Sequence, residues 1–122
     1  MSETHPAILL YSHDLMWISR CSATAQALGI RFHCVRNAEL LLQLGNEMKP
    51  QVVLFDLDTA DPGTLIPLYR SNQDTPTRFV AFGSHVASAV LESARQAGCD
   101  PVLPRSQMAN MMAPLFQQWC VH

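Results

Sequence analysis

The residues of this 122-residue chain best suited to phosphoryl or metal chemistry are a set of carboxylates, a serine and a histidine set at the ends of apolar runs. The run Val52-Val53-Leu54-Phe55 ends on Asp56, and two more acids, Asp58 and Asp61, follow closely. Four consecutive apolar residues predict a strand buried on both faces, which sets Asp56 at its carboxyl end. Open α/β sheets place their chemistry there. A second apolar run, Ala7 to Tyr11, leads into Ser12-His13-Asp14 and is predicted to lie beside the first. A metal-assisted carboxylate site wants two adjacent acids at that point, and the chain offers at most one.

Positioning such a pocket takes strands alternating with helices, and the chain supplies that alternation five times. The predicted strands are Ala7 to Ser12, Arg31 to Val35, Gln51 to Asp56, Arg78 to Gly83 and Pro101 to Leu103. Asp14 can cap a first helix with an inward stripe of Leu15, Ile18, Ser22, Ala25 and Leu28, stopped by Gly29. Asn37 can cap a second, with Leu40, Leu41 and Leu44 inward and Gly45 near its end. A third starts near Pro62 and carries Leu65, Ile66, Leu68 and Tyr69, and a fourth runs from about Val86 to Ala97 before Gly98. Ser106 opens the last helix, where Met108, Met111, Leu115 and Trp119 share one stripe. Pro114 interrupts it; an interior proline costs roughly 3 kcal/mol where it is not accommodated, so a kink or a restart is expected.

Right-handed βαβ crossovers then give an α/β fold, a (βα)5 flavodoxin-like three-layer sandwich around a five-stranded parallel sheet. Residues 1–122 read as one domain. A formal net charge of -2 and a single lysine, Lys49, leave no basic stripe for nucleic acid. Cys21, Cys34, Cys99 and Cys120 form no C-x-x-C pair, so reduced thiols in a cytoplasmic protein are expected. Met1 to Pro6 is polar with Glu3, and no apolar run approaches about 18 residues, so neither export nor membrane insertion is expected.

At this point the chain resembles the receiver domains of two-component response regulators, over essentially its whole length. The resemblance rests on Ile8-Leu9-Leu10-Tyr11, on Ala-Leu-Gly-Ile at 27 to 30, and on Pro50 to Asp56 leading to the phosphoacceptor position. It continues through Phe82-Gly83-Ser84-His85, Gly98-Cys99-Asp100 and Leu103-Pro104-Arg105. It implies that Asp56 stands where the family is phosphorylated. The departures fall on the chemistry: the two family acids that hold Mg²⁺ are here Ser12 and His13, with Asp14 one residue late. The family's switch Ser or Thr is Gly83, its lysine is Arg105, and the proline after it is Ser106.

Mg²⁺ asks for near-octahedral oxygen ligands and usually more than one carboxylate, and neutral imidazole is a softer donor. Loss of efficient phosphorylation at Asp56 is therefore expected, with no cofactor. The alternative is a working phosphoacceptor in which Asp14, Asp56 and Asp58 gather Mg²⁺ and Arg105 reaches the phosphate. Without a phosphate, Arg105 can pair with Asp56 directly or remain exposed at the strand end. Ser84 neighbours the missing hydroxyl at Gly83, but strand alternation turns it to the other side. His13 can titrate near Asp56 or be a plain loop residue.

The five histidines, His5, His13, His33, His85 and His122, include no i, i+4 pair, so zinc is unsupported. Phosphate-loop glycine motifs and the Gly-x-Ser-x-Gly elbow are absent, and nothing demands an enzyme. Trp17, Met112 and Phe116 lie off the assumed inward stripes and are candidates for an interaction surface. The leading expectation is a degenerate receiver acting by protein contact in a signalling pathway, with a histidine kinase, an output protein or a second copy as partner. A flavodoxin-like small-ligand domain is the remaining alternative.

Overall fold

The protein is described by a computed structural model covering residues 6–120, so the readings of the extreme N-terminus, His5 and His122 lie outside the described residues. Strands and helices alternate as β1 (Ala7–Tyr11), α1 (Leu15–Ala27), β2 (Arg31–Val35), α2 (Ala38–Met48), β3 (Val52–Asp56), α3 (Pro62–Asn72), β4 (Arg78–Gly83), α4 (Ser88–Ala97), β5 (Val102–Pro104) and α5 (Arg105–Cys120). The five strands are parallel in the order β2-β1-β3-β4-β5. Every predicted strand and helix is present, with ends shifted by one or two residues, a normal scatter for fraying termini.

Strand alternation sorts the core into two layers. Ile8 and Leu10 of β1, Val52 and Leu54 of β3, and Val80 and Phe82 of β4 face α1 and α5. Leu9, Val53, Phe55, Phe79 and Ala81 face α2, α3 and α4. Both faces are apolar because both are covered, which is why β3 reads as an unbroken hydrophobic run.

Two helices sit in a different phase from the one their sequence suggests. In α1 the buried line is Trp17, Cys21 and Ala25, while Leu15 is 69% exposed. Leu15 and Met16 occupy the first turn, where side chains lean towards the helix N-terminus and so overhang the sheet edge instead of meeting it. The larger apolar surface of Trp17 sets the phase, and its ring packs 4.6 Å from that of Phe82. In α5 the buried line is Met108, Met112, Phe116 and Trp119, and it is Met111 that is exposed. Trp17, Met112 and Phe116 are therefore core, and the expectation that they form an interaction surface is corrected.

The interior proline explains the shift in α5. Pro114 cannot donate to the carbonyl of Asn110 and its ring crowds that oxygen. The helix kinks at Met111, whose φ of -117° and ψ of 16° are not helical. The kink rotates the second half so that Met112 and Phe116 continue the line begun by Met108.

Gly45 lies within α2 and meets α3. A Cβ there would stand 2.5 Å from Cε2 of Tyr69 and 2.8 Å from Nε2 of Gln73. Alanine is favoured over glycine in a helix by about 1 kcal/mol, but a buried ring leaves no slack for the extra carbon. Gly45→Ala is expected to destabilise the protein by about 1–2 kcal/mol in urea unfolding, since overpacking of about 1–3 kcal/mol exceeds the propensity gain. An increase in stability would show that α2 and α3 are less closely packed.

Candidate functional site

The strand order turns outward in both directions from the β1–β3 pair, so the crevice of the parallel sheet opens at their carboxyl ends. Ser12 follows β1 there and Asp56 closes β3. Both are buried, at 0% and 1% exposure, and they are the only buried polar or charged residues among those described. Burial of this kind needs hydrogen bonds, and the pair supplies them. The Ser12 hydroxyl donates to Asp56 Oδ2 at 2.8 Å and accepts the backbone N–H of Asp14 at 3.0 Å. The other carboxylate oxygen, Oδ1, accepts the backbone N–H of Asp58 at 3.0 Å.

Desolvation dominates the electrostatics of Asp56. Burial raises its pKa above the ordinary 3.8, opposed by the hydrogen bond from Ser12 and the charge of Arg105. The neighbouring acids are engaged elsewhere. Asp14 caps α1, its Oδ1 accepting the N–H of Met16 at 2.9 Å. Asp58 is in an ion pair with Arg105. The direct pairing of Arg105 with Asp56 is thus replaced by a pairing two residues on, where the Asp58 side chain stands out in solvent and is easily reached. Arg105 acts on Asp56 only through space.

His13 is exposed and its Nε2 lies 2.9 Å from the carbonyl of Arg36. A carbonyl only accepts, so Nε2 carries the proton in this arrangement. Gly83 ends β4 against Leu57: a Cβ on it would lie 3.2 Å from both Cβ and Cδ1 of that leucine. Leu57 thus crowds the space that a side chain at 83 would need. The Ser84 hydroxyl accepts the Val86 N–H at 3.4 Å, closing a turn.

These residues do not fit Mg²⁺. A hard divalent cation draws on several oxygen ligands. Here the one buried carboxylate already accepts two internal hydrogen bonds, and Ser12 replaces an acid beside it. Among the described residues no three His, Cys, Asp or Glu side chains are grouped to hold a metal. The role of Ser12 as a hydrogen-bond donor to Asp56, and of Asp58 as the partner of Arg105, went unread in the sequence. The first could have been found from the β1–β3 register, which sets Tyr11 beside Phe55 and so brings the next residues together.

Cys21, Cys99 and Cys120 are buried free thiols, and burial pushes them up to about 12, 12 and 11. They are inert core groups at neutral pH. Among the described residues no helix is long and apolar enough to cross a membrane.

Removing Arg105 tests its part in the site. Its pair with Asp58 is largely solvent-exposed, so Arg105→Ala is expected to cost less than about 1 kcal/mol while moving the Asp56 pKa further up. Urea unfolding and a carboxyl-carbon NMR titration read the two effects. A loss of several kcal/mol would mean that Arg105 holds the pocket together.

No family model and no curated protein sequence matches the chain. Solved structures do. A receiver domain of a response regulator from Bermanella marisrubri superposes with a TM-score of 0.80 at 15% identity, covering 94% of this chain and 98% of that one. The receiver domain of a sensor histidine kinase from Pseudomonas aeruginosa, with a magnesium ion in its active-site cleft, gives 0.78 at 17%, covering 97% and 99%. The receiver domain of Saccharomyces cerevisiae Ssk1, in complex with the histidine phosphotransfer protein Ypd1, gives 0.75 at 11%, covering 98% and 92%. The chain has the receiver-domain fold.

Proposed function

We propose that this chain is a receiver-type module of two-component signalling that works by protein contact, with Asp56 serving as an internal structural carboxylate and not as a phosphoacceptor. One observation carries the reading: both oxygens of Asp56 are taken by internal donors, Ser12 and the Asp58 backbone, while the acids that might bring a metal cap a helix or pair with Arg105. Transfer of a phosphoryl group to a carboxylate needs a metal or its equivalent to neutralise the meeting anions. The pocket supplies one cation, Arg105, already paired. On this reading the domain performs no catalysis of its own.

The partner is a protein. Ssk1 docks on a histidine phosphotransfer protein, and a kinase, a phosphotransfer protein or an output protein of a signalling pathway fills that place here, with a second copy of the chain as the other option. The contact surface includes Leu15 and Met16, apolar side chains that are 69% and 55% exposed in the first turn of α1, beside the Asp56 edge.

Incubation with acetyl phosphate and Mg²⁺ followed by intact-mass analysis tests the reading. The expected result is an unchanged mass. Gain of one phosphoryl group, lost in Asp56→Ala, would overturn it in favour of a phosphorylatable receiver.

A further inference from the structure

The largest cavity lies at the opposite edge of the sheet from Asp56. It has a volume of about 590 Å³ and opens at the amino-terminal ends of β3, β4 and β5, with Arg70, Arg78, Phe79 and Trp119 in its wall. A second cavity of about 370 Å³ adjoins it, sharing Arg70 and Phe79 and bounded by Tyr69 and Gln73. Each volume lies in the range of small-molecule sites.

Two features of this edge are unexplained by the packing of the fold. Arg70 and Arg78 both face the first cavity, and neither forms an ion pair among the described residues, although Asp74 and Asp100 line the same space. Arg70 is held with its guanidinium 5.2 Å above the Phe79 ring, and Arg78 is braced by a 3.2 Å hydrogen bond to the carbonyl of Asp100. Stacking and bracing order the two cations without neutralising them, which suits planar, forked recognition of an oxyanion. The second feature is Gln73: its amide nitrogen and oxygen are buried and have no hydrogen-bond partner. An unsatisfied donor and acceptor on one side chain cost free energy unless something else completes them.

We propose that this edge binds a phosphorylated ligand of mononucleotide size. Its phosphate sits between Arg70 and Arg78, and its planar heterocycle lies in the second cavity, where the Gln73 amide can both donate to and accept from a base edge. The walls contributed by Phe79 and Tyr69 offer aromatic faces to such a ring. The site is independent of the Asp56 pocket, and the two readings stand or fall separately.

Amide NMR titrations with AMP, inorganic phosphate and adenosine test it. AMP is expected to shift the resonances of Arg70, Gln73, Thr77, Arg78 and Gly98 with saturation, phosphate to act more weakly on Arg78 and Gly98, and adenosine to act least. Arg70→Gln and Arg78→Gln should each weaken AMP by about tenfold or more. Gln73→Leu should weaken AMP and leave phosphate unchanged, and dispersed spectra of all variants establish that they fold. Absence of saturable shifts at millimolar AMP would overturn the proposal, as would shifts centred on Asp56. Equal binding of phosphate and AMP would overturn the nucleotide-sized ligand.

Discussion

Replacing Trp17 with alanine is expected to cost about 3–5 kcal/mol of unfolding free energy, the range for removing a large aromatic ring from a core. Trp17 is 3% exposed, tilts against Phe82 at 4.6 Å, and joins the sheet to α1 together with Cys21 and Ala25. Its removal leaves a void that α1 cannot close without losing the register of Cys21 and Ala25. Urea unfolding measures the loss directly. A change of less than about 0.5 kcal/mol would be the behaviour of a surface residue and would return Trp17 to the contact surface. Leu15→Ala, by contrast, removes an exposed side chain and should scarcely alter stability.

Ser12→Ala should cost about 2–3 kcal/mol at neutral pH, because it strands one oxygen of a buried carboxylate and also deprives the Asp14 N–H of its acceptor. The effect depends on pH in a defined direction. The folded pKa of Asp56 lies above the ordinary 3.8, so its stabilising contribution is complete below pH 3.8 and is lost as pH rises through the folded value. Ser12 opposes that rise. Without its hydrogen bond the folded pKa climbs further and the loss extends to higher pH. The stability gap between wild type and Ser12→Ala should therefore widen as pH rises above 3.8. In an Asp56→Asn background, where nothing at 56 ionises, the same substitution should give a gap that is flat in pH over this range. A gap equally wide at low and neutral pH in the Asp56 protein would mean that the hydroxyl is not coupled to the carboxylate charge.

The fold was legible because its signals are redundant. The apolar run of β3, the Asn37 cap, Gly98 and the alternation of periods all point to one parallel sandwich, and a one-residue error at any boundary leaves that conclusion intact. Helix phase has no such redundancy. In α1, Leu15 and Trp17 are both apolar and two residues apart, and only the position of the first turn at the sheet edge decides which faces inward. In α5 the kink at Met111 resets the phase midway, so a stripe drawn at constant pitch through Pro114 selects Met111 over Met112.

The site divides in the same way. The absence of a second acid beside Asp56 is a statement about residue types and could be read directly. Which donor meets which oxygen is a matter of ångströms. Arg105 reaches Asp58 and not Asp56, and Ser12, weighed as a metal ligand, acts as a hydrogen-bond donor. Gly83 looked like a lost hydroxyl. In the structure it is also a packing requirement, because Leu57 lies against it.

The central claim is that the Asp56 pocket is closed by its own hydrogen bonds and does not assemble a metal-dependent phosphoryl site. Amide NMR spectra with Mg²⁺ and beryllofluoride, a stable mimic of the acyl phosphate, test it most directly. The account predicts that the resonances of Ser12, His13, Asp56, Asp58 and Gly83 stay in place at millimolar Mg²⁺ with the mimic present. Metal-dependent shifts centred on those residues, absent in Asp56→Ala, would contradict it.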